Sequence, residues 1–355
     1  MTSIHPLTSL RLLFALMVFA SHCNIVSDSF DIPILTEGYV GVSFFFVLSG
    51  FIISYSYDER FLQRSVTAYD FFTARVARIY PLHWLMLLIT AALGTYTLDN
   101  GLADWMRHFV ANLLLCQAYV PDAGYYFSFN SPSWSLCCEQ LFYLCFPLMT
   151  LLLRHPRRLQ LLFVLCAIVV VTGMHLTPTD MAKGIWYVNP LARFPDFILG
   201  MMVYMYYRKE RTSGTHSHRH DTLFEFAAIL LFVVFYAASP HIPQVYRYSC
   251  YYWLPIAGII YVFARQGGMV SRWLSTRWLT LGGEVSFGFY LIHHLLFRLY
   301  VEAERYFHLS LSPLLAVLLI FFLTLLLSVM SFYLFERPMN KQVKRIALFF
   351  RKNTQ

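Results

Sequence analysis

An arginine and a histidine lie within the first long apolar segment of this 355-residue chain. Arg11 precedes His22 in a segment whose length and apolarity predict a membrane-spanning helix. At their spacing, roughly 1100° of helical turn, both side chains are expected on one stripe, about 16 Å apart. Ionisable side chains are costly inside a bilayer and by default face a polar cavity where they have a task. A histidine there can move a proton, activate a hydroxyl group or carry an acyl group, and a purely structural histidine is the alternative.

The composition is that of a membrane protein. Hydrophobic residues make up 58% of the chain and charged residues 13%, about half of the charged fraction usual in soluble domains. The net charge of +8 is typical of basic cytoplasmic loops, so we expect no nucleic-acid partner. The seven cysteines lie mostly in apolar segments and indicate no disulfide framework. We therefore predict an all-α polytopic membrane protein.

The apolar segments predict about ten spans. They fall at about residues 7–27, 38–57, 79–98, 133–153, 159–176, 185–207, 222–239, 248–264, 283–303 and 312–334. Twenty of the 27 lysines and arginines lie in alternate loops and in the C-terminal tail. The positive-inside rule then predicts that both termini are cytoplasmic. The apolar piece 109–120 is too short to span comfortably, so we expect it to be interfacial or re-entrant.

The chain is expected to form a single transmembrane domain over residues 1–340, followed by a basic cytoplasmic tail at 341–355. The only plausible linker is Thr212–Asp221, whose His216–His220 run is expected to be a solvated loop. We predict no metal site.

Two groups of charged residues are further candidates. Arg75 and Arg78 share a helix face at the cytoplasmic entrance of the third span, where two guanidinium groups suit phosphates; ordinary positive-inside anchoring is the alternative. Glu139 lies inside a span, one turn before Tyr143, and is expected either to exchange a proton or to hold an arginine.

Three more residues remain open in role. His293 lies near the middle of the ninth span, seven residues after Ser286, and either catalysis or helix-to-helix hydrogen bonding explains it. Arg193 can partner Asp196, Glu139 or an anionic acceptor. Trp134 lies in an aromatic loop at the membrane interface.

Taken together and in order, these segments resemble the acyltransferase-3 family of membrane acyltransferases over nearly the whole chain. The residues that carry the resemblance are Arg11 with His22, Gly41–Ile53, Arg75–Pro81, Ser133–Tyr143, Arg193–Gly200, Ser286–His293 and Glu336–Pro338. One departure is that the family often begins Leu-Asp-Gly-Leu-Arg, whereas Leu7-Thr-Ser-Leu-Arg11 here lacks the carboxylate. No esterase domain of the SGNH type follows, so the membrane module is expected alone.

The resemblance implies transfer of an acyl group, commonly acetyl, from acyl-CoA to a hydroxyl of a cell-surface carbohydrate or glycolipid precursor. We expect an integral protein of the bacterial inner membrane. His22 and Glu139 are the expected catalytic residues, and Arg11, Arg75 and Arg78 are expected to bind the CoA phosphates. Acceptor binding is expected at Trp134, Tyr143, Arg193 and His293.

Several alternatives stay open. Direct transfer and an acyl-histidine intermediate are both compatible with His22. A transporter or flippase also has many spans and intramembrane charges, but the sequence has no repeat of interrupted helices in two halves. A scaffold or receptor would leave the cost of burying Arg11 and His22 unexplained. The sequence does not indicate an oligomeric state.

Overall fold

The computed structural model describes residues 3–213, 220–309 and 311–353. The described part of the chain contains helices and no strands. The helices are α1 (His5–Ala20), α2 (Pro33–Thr36), α3 (Tyr39–Leu62), α4 (Ala68–Ala92), α5 (Leu102–Leu113), α6 (Ala123–Tyr126), α7 (Trp134–Met149), α8 (Pro156–Leu176), α9 (Thr179–Ala182), α10 (Pro190–Ser213), α11 (Asp221–Ala238), α12 (Gln244–Arg247), α13 (Trp253–Ala264), α14 (Met269–Leu274), α15 (Arg277–Phe307), α16 (Pro313–Ser331) and α17 (Arg337–Asn353). The all-α prediction is confirmed, and residues 216–219 of the histidine run lie outside the described residues.

Five helical stretches of the described chain are long and apolar enough to cross a bilayer. They are His5–Ile25, Pro33–Leu62, Pro156–Leu176, Asp221–His241 and Pro313–Arg351. The other five predicted spans overlap α4, α7, α10, α13 and α15. Each predicted span therefore contains a helix, while the number of crossings stays a prediction.

The first helix differs from its prediction at the end that carries His22. Helix α1 ends at Ala20, and a 3₁₀ turn follows at Cys23–Ile25. The Ser21 hydroxyl donates back to the Val18 carbonyl at 2.8 Å, just after the last residue of α1. His22 therefore lies between two helical segments and not on the regular stripe of Arg11.

Helix α4 begins earlier than the apolar pattern indicates. Thr67 and Asp70 form a reciprocal capping box, with the Asp70 amide donating to the Thr67 hydroxyl and the Thr67 amide to the Asp70 carboxylate. A capping box satisfies amide groups that the first helical turn leaves unpaired, so polar residues begin the helix. Arg75 and Arg78 consequently lie well inside α4, three residues apart on one face.

The helices that surround the cavities pack through glycine. A β-carbon at Gly200 of α10 would clash with the Val47 carbonyl oxygen of α3, and one at Gly50 of α3 would clash with the Phe197 carbonyl oxygen of α10. Small residues allow membrane helices to approach this closely. Gly50 lies in the Gly41–Ile53 segment, so this segment packs closely against α10.

A buried carboxylate fastens three segments at the end of the molecule that carries the basic loops. Asp58 of α3 accepts hydrogen bonds from Arg154 at 2.8 Å, from Tyr204 at 3.1 Å and from Arg208. Its side chain is fully buried, whereas both arginines are partly exposed. Because two cations share one buried anion, the turn after α7 is held against α3 and α10.

The C-terminal basic residues belong to a helix that packs along α4. Helix α17 begins at Arg337, and its Asn340 side chain donates to the Ala77 carbonyl at 3.0 Å. Arg351 forms an ion pair with Asp70 at 2.7 Å. The predicted tail is thus the second part of a helix that starts inside the predicted membrane domain.

Helix α5 ends inside the short apolar piece and covers its residues 109–113. Its 12 residues give a length of about 18 Å, against a hydrocarbon thickness of about 30 Å. His83 of α4 donates to the Asn112 carbonyl at 2.8 Å, and the Trp84 ring N–H donates to the Leu113 carbonyl at 3.1 Å. The C-terminal end of α5 is therefore fixed to the interior of α4, and α5 is too short to cross alone.

We predict that both ends of α5 face the same side of the membrane. Single cysteines at Asn100 and Asp122, in a background without the native cysteines, should label together with a membrane-impermeant maleimide. A cysteine at Arg157 should label only from the opposite side. Labelling of Asn100→Cys and Asp122→Cys from opposite sides would contradict the prediction.

Candidate active site

His22 lines a polar cavity with a volume of about 480 Å³. The cavity is built mainly from loops and helix ends, so its walls carry hydroxyl, amide and charged groups. Its aromatic and ionisable lining residues include Asp31, Tyr39, Phe127, Trp134, Lys183, Tyr187, Arg247, Tyr290 and His294. We call it the histidine cavity.

The ring of His22 is held by two acceptors. Its Nδ1 lies 2.9 Å from the Val18 carbonyl oxygen and 3.3 Å from Nε2 of His293. Nδ1 of His293 lies 2.7 Å from the Tyr290 carbonyl oxygen. A carbonyl only accepts hydrogen bonds, so in neutral rings both Nδ1 atoms carry the hydrogen and Nε2 of His293 accepts from His22. This assignment leaves Nε2 of His22 with a free lone pair.

That nitrogen has no hydrogen-bond partner in the described part of the chain. His294, the next residue along α15, also lines the cavity, and its ring is perpendicular to that of His22 at 5.2 Å. His294 was not predicted as a site residue from the sequence, although its position directly after His293 could have indicated it. The geometry can present an unprotonated imidazole nitrogen to a bound molecule.

A second cavity of about 180 Å³ contains the three predicted phosphate-binding arginines. Arg11, Arg75 and Arg78 line it together with Glu139 and Tyr143. We call it the arginine cavity. Arg11 and His22, which the sequence predicts on one helical stripe, line different ones of these two cavities.

The arginine cavity has more positive than negative groups. Arg75 donates to the Tyr57 hydroxyl at 3.3 Å, and Arg78 is 4.0 Å from a Glu336 carboxylate oxygen. Arg11 forms no ion pair within 4.0 Å among the described residues. Three guanidinium groups thus face two carboxylates, those of Glu139 and Glu336. Guanidinium groups in such a surplus suit a phosphorylated ligand.

Glu139 acts within the arginine cavity. The Tyr143 hydroxyl donates to its carboxylate at 2.5 Å. Among the described hydrogen bonds none joins Glu139 to His22, and the side chain that contacts the His22 ring nitrogen is His293. The structure therefore does not support an orienting role for Glu139, and it gives His293 that contact.

A narrow space of about 40 Å³ lies between the two cavities. It shares Arg11, Glu139 and Phe287 with the arginine cavity, and Val42 and Tyr290 with the histidine cavity. Phe45 and Phe46 also line it. Because it shares lining residues with both cavities, this space lies between the arginines and His22. We call the narrow part the neck.

Helix α7 contributes to both cavities. Trp134 at its start lines the histidine cavity, and its ring lies 4.6 Å from that of Tyr187. Glu139 and Tyr143 further along α7 line the arginine cavity. The Trp134 and Tyr187 rings together form an aromatic wall of the histidine cavity. Of the two, only Trp134 was predicted from the sequence.

Arg193 lies outside the linings of both cavities. It is fully buried, pairs with Asp196 at 2.8 Å, and donates to the Ser43 hydroxyl at 2.7 Å and to the Tyr248 carbonyl. Asp196 in turn accepts from Ser249 at 2.8 Å. Of the three partners that the sequence left open for Arg193, the structure selects Asp196. The contacts join α10 to α3 and to the loop before α13.

Comparison with known proteins gives the class of this site. A family model described as an acyltransferase domain, that of the acyltransferase-3 family, matches residues 5–333. The chain therefore belongs to the acyltransferase-3 family, and it is an enzyme of the acyltransferase class. The comparison with solved structures returned no match.

Three relatives illustrate the family. The acyltransferase MdmB of Streptomyces mycarofaciens is 32% identical over 322 residues, covering 82% of this chain and 78% of MdmB. The exopolysaccharide production protein ExoZ of Rhizobium meliloti is 31% identical over 176 residues, 50% of this chain and 53% of ExoZ. The peptidoglycan O-acetyltransferase OatA of Listeria monocytogenes is 24% identical over 307 residues, 80% of this chain and 48% of OatA. The chain thus spans about half the length of ExoZ and OatA.

We predict that Arg193 stabilises the fold. Arg193→Met leaves Asp196 buried without its cation and should cost about 3–5 kcal/mol of stability. The measurement is the apparent Tm of the purified protein in detergent. Arg193→Met with Asp196→Asn should recover part of the loss. An unchanged Tm with a raised KM for the acceptor would contradict the prediction and favour substrate binding.

Proposed function

We propose that this protein is an inner-membrane O-acetyltransferase. It transfers the acetyl group of cytoplasmic acetyl-CoA to a hydroxyl of a cell-surface carbohydrate or glycolipid precursor. The observation that supports this most is the unprotonated Nε2 of His22 in a polar cavity, joined by a neck to a group of arginines. Both termini and the arginine cavity lie on the cytoplasmic side in this proposal, because the basic loops lie at that end.

The donor binds in the arginine cavity. Arg11, Arg75 and Arg78 hold the phosphates of CoA, since planar guanidinium groups pair with phosphate oxygens in a bidentate way. The pantetheine arm then extends through the neck, past Phe45 and Tyr290, which line it. This brings the thioester to His22.

His22 acts on the acceptor hydroxyl in the histidine cavity. In direct transfer, Nε2 takes the hydroxyl proton while the oxygen attacks the thioester carbonyl, and the tetrahedral intermediate collapses with release of the thiolate. The proton on Nε2 then passes to the sulfur, so free CoA leaves as a thiol. Through both steps Nδ1–H stays bonded to Val18 and His293.

An acyl-histidine route uses the same contacts. Nε2 attacks the thioester carbonyl and the C–S bond breaks, so CoA leaves as a thiolate and the ring becomes an acylimidazolium that keeps its hydrogen on Nδ1. The acceptor oxygen then attacks the acetyl carbon, the bond from that carbon to Nε2 breaks, and the hydroxyl proton passes to the CoA sulfur, so that the ester, free CoA and neutral His22 result. In both routes the positive charge that the ring gains is stabilised by the acceptors at Nδ1. His293 is thus a positioning residue for His22.

The acceptor enters from the opposite side of the membrane. Trp134 and Tyr187 offer aromatic faces to sugar rings, and the names of ExoZ and OatA refer to exopolysaccharide and peptidoglycan. Glu139, with Tyr143 bonded to it, stabilises the positively charged arginines of the arginine cavity. The transporter alternative is not favoured, because the matched family consists of acyltransferases.

His22→Ala should abolish acetyl transfer by the purified protein. General acid–base catalysis is typically worth 10²–10⁴-fold, so a loss of at least about 100-fold is expected, measured as CoA release with and without acceptor. His155→Ala, an exposed histidine of the turn before α8, is the matched control and should be unchanged. More than about a tenth of the activity remaining in His22→Ala would contradict the assignment.

Two variants at His293 separate positioning from packing. A glutamine side chain at this position keeps an acceptor near the place of Nε2, and a leucine side chain keeps only bulk. His293→Gln should therefore retain more of kcat than His293→Leu at similar Tm. Equal activity of the two variants would contradict the positioning role.

Arg75→Ala and Arg78→Ala should each raise the KM for acetyl-CoA about 10-fold or more, since a charged hydrogen bond is typically worth about 1.5–3 kcal/mol. Arg157→Ala removes an exposed arginine outside both cavity linings and is the matched control. An unchanged donor KM with a raised acceptor KM would mean that the donor does not bind in the arginine cavity.

A further inference from the structure

An apolar groove lies beside the histidine cavity, and the proposed reaction gives it no task. Its volume is about 480 Å³, equal to that of the histidine cavity. Two segments form its walls, residues 32–34 around the start of α2 and the C-terminal end of α11. The side chains include Ile34, Phe232 and Val233, and Ile34 and Val233 are exposed. We call this the α2–α11 groove.

Contacts between the helices fix the walls of the groove. The Tyr236 hydroxyl of α11 donates to the Ile34 carbonyl oxygen and ties the two walls together. Phe232 packs edge-on against Phe14 of α1 at 5.5 Å, which fixes its ring in the groove. Helix α11 is among the apolar helices of membrane-spanning length, and only 17% of its apolar stretch is buried. Exposed apolar surface of this kind marks a membrane contact, so we expect the open side of the groove to face hydrocarbon.

The groove and the histidine cavity share one wall. Ile32, Pro33 and Ile34 line the groove, whereas Asp31 and Thr36, on either side of them in the chain, line the cavity. An elongated molecule can thus lie with an apolar part on one side of α2 and a polar part on the other. Amphiphilic lipids have this form.

The charges of the cavity indicate the nature of the polar part. Lys183 lines the cavity with its ammonium 5.2 Å from the centre of the Phe127 ring, and it forms no ion pair within 4.0 Å among the described residues. Arg247 also lines it and pairs with Glu37, a buried carboxylate that accepts from Tyr252 at 2.9 Å as well. Asp31 is exposed on the rim. Lys183 is therefore the cation that an anionic group can pair with.

We propose that the α2–α11 groove binds the hydrocarbon chain of a lipid-linked acceptor whose phosphate-bearing head lies in the histidine cavity against Lys183. This rests on the proposed function, and it narrows the acceptor from carbohydrates in general to glycans carried on a lipid phosphate. The chain lies in the groove, the phosphate lies at Lys183, and the sugar hydroxyl reaches Nε2 of His22.

Binding of a long-chain polyprenyl phosphate to the purified full chain tests the proposal. The chain in detergent is titrated with this lipid, and native mass spectrometry measures the bound fraction. Val233→Trp fills the groove and should weaken binding at least about fivefold, because each buried methylene contributes about 0.8 kcal/mol. Val234→Trp is the matched control, since Val234 is equally exposed on α11 but does not line the groove. Equal binding by the two variants would overturn the proposal.

The head is tested separately. Lys183→Met should weaken polyprenyl phosphate binding about 10-fold, and Lys183→Arg should restore most of it. The neutral polyprenol should bind both variants alike. Inorganic phosphate that competes as well as polyprenyl phosphate would identify a soluble anion as the ligand and overturn the lipid assignment.

These measurements do not depend on catalysis. If the lipid binds as expected but the wild-type chain releases no CoA from acetyl-CoA, the proposed reaction fails and the lipid site stands. If CoA is released but Val233→Trp has no effect, the reaction stands and the lipid site fails.

Discussion

A histidine works as a base only if one ring nitrogen lacks a hydrogen, and two acceptors decide which nitrogen that is in His22. The Val18 carbonyl and Nε2 of His293 both lie at Nδ1. His293 can accept there because its own Nδ1 donates to the Tyr290 carbonyl. Helix α1 ends at Ala20, and His22 lies just before the 3₁₀ turn Cys23–Ile25. The contact between the two histidines needs α15 to lie close to α1, which Gly283 allows because a side chain there would clash with the Thr8 carbonyl.

The cost of placing charges in an apolar region explains how the rest of the site is divided. Arg11, Arg75 and Arg78 line one cavity together with Glu139. His22 and His294 line the other, so each set has polar surroundings. Aromatic rings and Val42 line the neck between them, and Arg11 and Glu139 are on its edge. Helix α7 runs from Trp134 in one cavity to Tyr143 in the other. Arg193 and Asp58 lie apart from this path, and their buried ion pairs fasten α10 to neighbouring segments.

The positions of the helices and several site residues were predictable from the sequence, because they depend on the local pattern of apolar and ionisable residues. Apolar stretches of membrane length located helices at all ten predicted spans, and ionisable residues inside them identified Arg11, His22 and Glu139. The end of α1 was not predictable, because Ser21 and His22 follow an apolar helix without a glycine or proline to mark the turn. Lys183 and Tyr187 reach the cavity from the π-helical segment Lys183–Val188, and Arg247 reaches it from the short helix α12. Segments this short carry no periodicity in the sequence that could place their side chains. The choice of Asp196 for Arg193 depended on packing against Ser43 and Tyr248, which only the fold brings together.

In the proposed reaction, donor and acceptor occupy separate cavities that open to opposite sides of the membrane and meet at His22. Single cysteines at Ser49 in the arginine cavity and at Asn24 in the histidine cavity, in a background without native cysteines, test this arrangement. A membrane-impermeant maleimide should label Asn24→Cys from the outer side and Ser49→Cys only from the cytoplasmic side. CoA should slow labelling at Ser49→Cys and leave Asn24→Cys unchanged. Labelling of both positions from one side, or protection by CoA at Asn24→Cys alone, would show that the two cavities do not have these separate roles.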